Sequence, residues 1–184
     1  MTDAPALDLT ADVVTLTAAL CDIASVSRDE AALAAAIEVA LRPHGHLEVS
    51  RHGNTVVART SLGRGERVVL AGHIDTVPLT DPPNLPTRRV GEELVGRGTV
   101  DMKGGVAVQL RLASQLAAPN RDVTYVFYDG EEIDGEFNGL AHLADGRPDL
   151  VQADFAVLLE PTDGGIEGGC KGTLRVEVVA TGIA

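Results

Sequence analysis

Three largely apolar segments of this sequence each run directly into a histidine or an acidic residue. Segments 68–72, 123–128 and 155–159 are rich in Val, Leu, Ala, Tyr and Phe, which is typical of strands buried on both faces. The polar residues that follow these segments are His73 and Asp75, Glu131 and Glu132, and Glu160. In an open α/β sheet, ligands bind outside the carboxyl ends of the strands. We therefore expect these side chains to meet at one edge of a sheet.

The composition restricts the class of protein. The chain has 184 residues, the size of one domain, and 45% of them are hydrophobic although only 3% are aromatic. A formal net charge of −12 argues against nucleic acid or an anionic membrane as a partner. Two cysteines are too few for a disulfide framework, and neither a signal peptide nor an apolar run of roughly 18 residues is present. We expect a cytoplasmic protein.

Apolar periodicity predicts an alternation of helices and strands. Helical spacing is found in segments 11–20, 27–41, 105–116 and 137–143. Strand patterns are found in segments 47–50, 55–59, 67–72, 122–128 and 173–180, and segment 150–159 contains a further strand. Ser27 and Glu30 form a capping-box pattern, and the prolines of segment 78–86 predict a loop. This order predicts a three-layer α/β/α fold with a mostly parallel sheet.

His73 and Asp75 are the first candidates for a metal site. Residues two apart in a strand share one face, so the two side chains are predicted to be neighbours. A metal-bound imidazole usually donates its other ring N–H to a carboxylate, and Asp75 is placed for that role. The alternative is a histidine and an aspartate in an ordinary turn before Pro78.

Asp101 lies between two glycine-containing segments at the start of a predicted helix. Its ordinary role there would be that of a helix N-cap. A carboxylate that bridges two cations would also suit the position, because the neighbouring glycines let the backbone approach closely. Both readings stay open on this motif alone.

Glu131 and Glu132 are adjacent, which normally indicates a solvated surface. Here they follow a strongly apolar strand, and neighbouring side chains point in different directions. One can therefore bind a metal while the other faces the substrate and transfers a proton. Glu160 ends another apolar strand just before Pro161, and its alternative role is that of a loop residue.

One histidine and several carboxylates form an oxygen-rich ligand set. Such a set suits Zn²⁺, Mn²⁺ or Co²⁺, and two such ions can share a bridging carboxylate and a bridging water. The sequence has no Gly-x-Ser-x-Gly elbow and no Walker A motif. Cys170 has no obvious base partner, which argues against a thiol nucleophile. The pattern favours a hydrolytic metal site.

Four motifs, in this order, carry a resemblance to a known family. They occupy positions 72–78, 96–105, 131–132 and 160–162, at spacings of 26 to 30 residues. Together they resemble the co-catalytic zinc aminoacylase and carboxypeptidase superfamily, and within it the actinobacterial succinyl-diaminopimelate desuccinylases. The resemblance implies a zinc-exopeptidase-like catalytic domain with two Zn²⁺ ions, for which Co²⁺ or Mn²⁺ can substitute.

The resemblance also implies a role for each residue of the set. The metal ligands would be His73 and Glu160 on one zinc, Glu132 on the other, and Asp101 between them. Asp75 would orient the histidine, and Glu131 would be the general base and then the general acid. Members of the superfamily often have a cis peptide after the bridging aspartate, here the bond from Asp101 to Met102.

The reaction that the resemblance implies is removal of succinate from N-succinyl-LL-2,6-diaminopimelate, in lysine and diaminopimelate biosynthesis. Lys171 would meet a substrate carboxylate, and its alternative role is that of a solvated loop lysine. The rival functions are those of another N-acyl-amino-acid deacylase, a metallo-exopeptidase or a non-catalytic metal-binding domain.

The resemblance places residues 1–184 in the N-terminal part of a catalytic domain. In that family a further histidine holds the second zinc, and a lid domain forms a homodimer. Both would lie outside this sequence, because none of its five histidines is in the required place. We therefore expect this chain to be inactive by itself.

Overall fold

A five-stranded sheet forms the centre of the structure, a computed structural model that describes residues 5–169 and 176–182. The strands of this sheet are β1 (Glu48–His52), β2 (Thr55–Arg59), β3 (Arg67–His73), β6 (Asp122–Tyr128) and β7 (Phe155–Leu158). A separate hairpin consists of β4 (Arg88–Val90) and β5 (Glu93–Val95). The helices are α1 (Val13–Asp22), α2 (Ala31–Leu41), α3 (Lys103–Gln115), α4 (Gly139–Gly146) and α5 (Pro148–Val151), with a 3₁₀ turn at Gly135–Phe137.

The order of the strands is β1-β2-β6-β3-β7. Strand β3 is parallel to both β6 and β7, whereas β2 is antiparallel to both β1 and β6. All strands except β2 therefore run in one direction, which confirms the mostly parallel sheet. The register pairs His73 with Tyr128 and Ala71 with Leu158, so the carboxyl ends of β3, β6 and β7 lie side by side.

Helices cover both faces of the sheet. Tyr125 and Phe127 of β6 pack in one apolar cluster with residues of α1, α2 and α3. Val126 and Tyr128 pack in a second cluster with Leu143 of α4 and with α5. Because every residue of β6 is buried, this strand reads as a nearly continuous apolar run instead of an alternating one. The predicted three-layer α/β/α fold is confirmed.

The start of α2 differs from the sequence-based prediction. The helix begins at Ala31, and the capping box that we expected from Ser27 and Glu30 does not form. Arg28 has a φ of 78°, in the left-handed region, so the chain is not helical at that point. Glu30 instead accepts a hydrogen bond from the backbone N–H of Arg28 at 2.6 Å, and Ser27 donates to Asp75.

Two other segments also differ from expectation. The β4–β5 hairpin follows the predicted proline loop and was not anticipated. The strand predicted within 150–159 is confirmed as β7, and α5 occupies the first residues of that range. The strand expected over 173–180 lies partly outside the described residues, and segment 176–182 forms no strand. In the described ranges no helix has the length and apolar character needed to cross a membrane.

Candidate metal centre

His73 is the last residue of β3 and is almost fully buried, with 1% of its side chain exposed. Its Nδ1 atom lies 3.3 Å from Oδ1 of Asp75 and 3.1 Å from the Asp75 carbonyl oxygen. Its Nε2 atom lies 3.0 Å from Oδ1 of Asp101 and 3.9 Å from Oε2 of Glu160. One ring nitrogen is thus held by Asp75, and the other is turned toward the acidic residues.

Asp101 lies two residues before the first residue of α3 but does not cap the helix. The N-cap position belongs to Met102, and no side chain of the described chain caps this helix. The peptide bond between Asp101 and Met102 is cis, as the resemblance implies. The preceding loop packs closely at Gly98, where φ is 80° and an added Cβ would lie 2.9 Å from Thr76. About half of the Asp101 side chain remains exposed and free to meet a ligand.

The loop after β6 is held by its backbone, which leaves its acidic side chains free. The N–H of Glu131 donates to Oδ1 of Asp75 at 3.0 Å, and the N–H of Glu132 donates to Oδ2 at 3.1 Å. Gly130 is required here, because its φ is 69° and a Cβ would lie 2.2 Å from the carbonyl oxygen of Phe137. Glu131 is exposed beside the cluster, and Glu132 is half-buried.

Three side chains come close enough to share a metal ion. Ligand atoms of His73, Asp101 and Glu132 all lie within 4.8 Å of one another. Glu160, which follows β7, is about one-third exposed and approaches the same histidine nitrogen. The donors are one imidazole nitrogen and carboxylate oxygens, a set that fits Zn²⁺, Mn²⁺ or Co²⁺.

The charges of the cluster favour a cation. Burial raises the pKa of Glu132 and Glu160, and the negative charge of Asp101 raises each of them further. Burial alone would lower the pKa of His73. The hydrogen bond and charge of Asp75, the hydrogen bond of Asp101 and the charge of Glu160 together raise this pKa to about 9. The carboxylates thus repel one another and attract positive charge, as the chemistry of a metal site requires.

Asp75 itself stays ionised. Burial would raise its pKa, yet contacts with His73, Ser27 and the backbone N–H groups of Glu131 and Glu132 lower it. The charged carboxylate can therefore hold the histidine and the acidic loop in fixed positions at once.

Comparison with known proteins identifies the family. The family model "Peptidase family M20/M25/M40" matches residues 69–178, which include all the candidate site residues. The chain belongs to this family. Members of the M20 group are metal-dependent peptidases and hydrolases, and the acidic cluster is the corresponding candidate metal site.

Two curated relatives are similar over almost the whole chain. DapE of Mycobacterium tuberculosis is 54% identical over 177 residues, which cover 96% of this chain and 49% of that protein. The succinyl-diaminopimelate desuccinylase of Corynebacterium glutamicum is 47% identical over 184 residues, or 97% of this chain and 49% of that protein. This M20 chain therefore spans about half the length of the curated relatives that it matches.

Solved structures show the same fold. The M20 metallo-carboxypeptidase Sso-CP2 of Sulfolobus solfataricus has a TM-score of 0.67 and 16% identity, over 80% of this chain and 37% of that chain. Human carnosine dipeptidase 1 has a TM-score of 0.65 and 19% identity, over 79% of this chain and 37% of that chain.

The structure brings together most of the candidate residues, and it adds one. Lys171, the candidate for a substrate carboxylate, lies outside the described residues. Ser27 was missed, because its position three residues before Glu30 matched a helix-capping pattern. No local signal predicts its contact with Asp75, since the two residues are 48 positions apart.

Proposed function

We propose that this M20 chain supplies the metal-binding part of an amide hydrolase that releases succinate from N-succinyl-LL-2,6-diaminopimelate. The observation that carries the proposal is the convergence of His73, Asp101 and Glu132 within 4.8 Å at the carboxyl ends of the central strands. The choice of substrate is supported by a relative that is 47% identical and is named a succinyl-diaminopimelate desuccinylase.

The metal would be zinc, with two ions in a complete site and Co²⁺ or Mn²⁺ as substitutes. His73 and Glu160 would hold one ion, Glu132 would hold the other, and Asp101 would bridge them. When bound, such ions lower the pKa of water from about 15.7 toward 7 and polarise an amide carbonyl. Asp75 would keep His73 in the correct orientation through its contact with Nδ1.

Glu131 is the residue that we assign to proton transfer. Its side chain is exposed beside the cluster, while its backbone N–H is fixed on Asp75. Its carboxylate would take a proton from the attacking water and return it to the leaving amine. General acid–base catalysis of this kind needs a group that can reach both atoms without being held by the metal.

We further propose that this chain functions as the N-terminal part of a longer catalytic domain. Phe155 and Leu158 of β7 are 65% and 51% exposed, which is unusual for apolar residues of a central sheet. The curated relatives are about twice as long as the part that this chain matches. Further chain would cover β7, supply another metal ligand, and add a lid through which the whole cytoplasmic protein forms a homodimer.

A substrate panel tests the proposed reaction. The full-length protein, loaded with zinc, would be assayed for amine release from N-succinyl-LL-2,6-diaminopimelate, an N-acetylated amino acid and a dipeptide. We expect kcat/KM to be higher for the succinylated substrate by about 100-fold or more, because the site must recognise its additional charged groups. Lys171→Gln should raise KM for that substrate if the lysine meets one of its carboxylates. Preference for the acetylated amino acid or the dipeptide would show that the chain belongs to another deacylase or exopeptidase.

A further inference from the structure

We infer that Ser27 is a positioning residue of the metal centre, acting through Asp75 on the loop that carries Glu131 and Glu132. The inference rests on the proposed function. Ser27 touches none of the candidate metal ligands through its side chain. Its hydroxyl donates to Oδ2 of Asp75 at 2.7 Å, across 48 positions of sequence.

The Asp75 carboxylate is fully buried and engaged on both oxygens. Oδ1 accepts from the N–H of Glu131 at 3.0 Å and lies 3.3 Å from Nδ1 of His73. Oδ2 accepts from the N–H of Glu132 at 3.1 Å and from the hydroxyl of Ser27. One carboxylate therefore links the end of β3, the loop after β6 and the segment before α2.

The segment that carries the serine is itself fixed to the end of β3. We call residues 25–27 the strap. The N–H of Thr76 donates to the carbonyl of Ser25 at 3.0 Å, and the N–H of Ser27 donates to the carbonyl of Thr76 at 3.0 Å. The hydroxyl of Ser25 donates to the carbonyl of Ile74 at 2.7 Å. These bonds form a short parallel pairing, so the Ser27 hydroxyl is delivered to Asp75 by a rigid segment.

A buried lysine fixes the chain just before the strap. Lys103, at the start of α3, donates through Nζ to the carbonyls of Leu20 and Ile23 at 3.2 and 3.3 Å. The same lysine lies two residues after Asp101, so one side chain ties the end of α1 to the loop of a candidate metal ligand. The chain that leads into the strap is therefore held in place by Lys103.

Removal of the Ser27 hydroxyl would leave one acceptor site of a buried charged carboxylate unfilled. Hydrogen bonds to charged groups contribute more than neutral ones, and an unfilled buried acceptor is costly. The carboxylate can recover the loss only by rotating toward other donors, which disturbs its bonds to the backbone of Glu131 and Glu132. The expected consequence is a displaced Glu132 ligand and a loosely held His73.

The strap contains its own matched control. Ser25 and Ser27 are two residues apart, and each donates one hydroxyl to an acceptor near the end of β3. The Ser27 hydroxyl reaches Asp75 at 2.7 Å and, less closely, the carbonyl of Thr76 at 3.3 Å, whereas the Ser25 hydroxyl reaches only a backbone carbonyl among the described residues. Ser25→Ala therefore removes a comparable hydrogen bond of the same strap and leaves the carboxylate fully engaged. Ser27→Thr retains a hydroxyl and serves as the rescue variant.

The test is zinc affinity, measured by competition with a chromogenic chelator on the metal-stripped full-length protein. We expect Ser27→Ala to bind zinc about 10-fold more weakly than wild type, since loss of an outer partner of a metal ligand typically weakens binding by about 10- to 100-fold. The zinc affinity of Ser25→Ala should remain within about 2-fold of the wild-type value, although this variant should lose about as much thermal stability as Ser27→Ala. Ser27→Thr should recover most of the zinc affinity.

Zinc affinity of Ser27→Ala equal to that of Ser25→Ala would overturn the inference, even if both variants lose stability. A wild-type protein that binds zinc but does not hydrolyse the succinylated substrate would contradict the proposed reaction and leave the positioning role standing. A wild-type protein that binds no zinc would overturn both. Hydrogen exchange provides a second readout, because the amides of Glu131 and Glu132 should exchange faster in Ser27→Ala alone.

Discussion

The backbone N–H groups of Glu131 and Glu132 both donate to Asp75, while the side chain of Glu131 is exposed and that of Glu132 is half-buried. The position of the loop therefore does not depend on the side-chain charge of Glu131. This separation lets a substitution at Glu131 report on proton transfer without disturbing the metal ligands.

Glu131→Gln should abolish turnover and spare metal binding. The amide has the shape of the carboxylate but cannot take a proton from water, so kcat should fall by about 10²- to 10⁴-fold or more. Zinc content, measured by atomic emission on the full-length protein, should stay at the wild-type value. Turnover that survives the substitution would show that another group is the base.

Asp122 makes a second network, remote from the metal centre, at the start of β6. Its carboxylate accepts 2.8 Å hydrogen bonds from the backbone N–H groups of Leu62 and Arg64 and from the hydroxyl of Thr60. Burial would raise its pKa, but these bonds and the charge of Arg67 lower it to about 2. A lowered pKa means that the contribution to stability is complete above the ordinary pKa of 3.8 and is lost as the pH falls through about 2.

Asp122→Asn should therefore destabilise the protein at neutral pH and have little effect in strong acid. Because an amide cannot accept all of these bonds, we expect the free energy of unfolding to fall by about 1–3 kcal/mol at pH 7. Urea titrations should show the difference from wild type shrinking between pH 4 and pH 2. Asp149→Asn, at an exposed aspartate, is the control and should change stability by about 0.5 kcal/mol or less. A difference that persists unchanged at pH 2 would contradict the assignment.

At the level of secondary structure, α3 lies directly against the strand end that carries Glu160. An added Cβ at Gly105 would lie 2.3 Å from the carbonyl oxygen of Leu159, a contact with backbone that cannot rotate away. The neighbouring Gly104 has more room, because its Cβ would lie 3.3 Å from the carbonyl of Thr99. Only Gly105 therefore sets the distance between α3 and the end of β7.

Gly105→Ala should destabilise the protein by about 1–3 kcal/mol and weaken zinc binding, because α3 and the residue before Glu160 must separate. Gly104→Ala is the matched control, since a helical alanine gains up to about 1 kcal/mol over glycine and its steric conflict is mild. Thermal unfolding and chelator competition measure the two effects. Equal thermal stability and equal zinc affinity in the two variants would show that the packing of α3 does not position Glu160.

The sequence predicted those elements whose signals are local. β3 and β6 were evident because strands buried on both faces leave long apolar runs, and a candidate ligand stands at the end of β3 and in the loop after β6. The predicted start of α2 was wrong, because the serine of the capping pattern donates its hydrogen bond to a distant carboxylate. The β4–β5 hairpin was missed, since its short exposed strands leave no apolar pattern. Contacts across 56 positions, such as that between Asp75 and Glu131, have no local signature.

At the scale of the whole molecule, the candidate ligands come from separate parts of the chain. Those that follow β3, β6 and β7 meet because these strands are parallel neighbours, and Asp101 joins them from the segment before α3. An unfolded chain cannot hold these side chains together, so a metal ion would bind the folded state alone and stabilise it. Binding of the ion and integrity of the fold are therefore coupled.

Metal binding tests the central claim most directly. Zinc titration of the metal-stripped full-length protein, followed by calorimetry, should show two equivalents for wild type and a higher melting temperature after loading. Asp101→Asn, which removes the proposed bridging carboxylate, should lose at least one equivalent. Failure of wild type to bind zinc, or an unchanged stoichiometry and affinity in Asp101→Asn, would contradict the account.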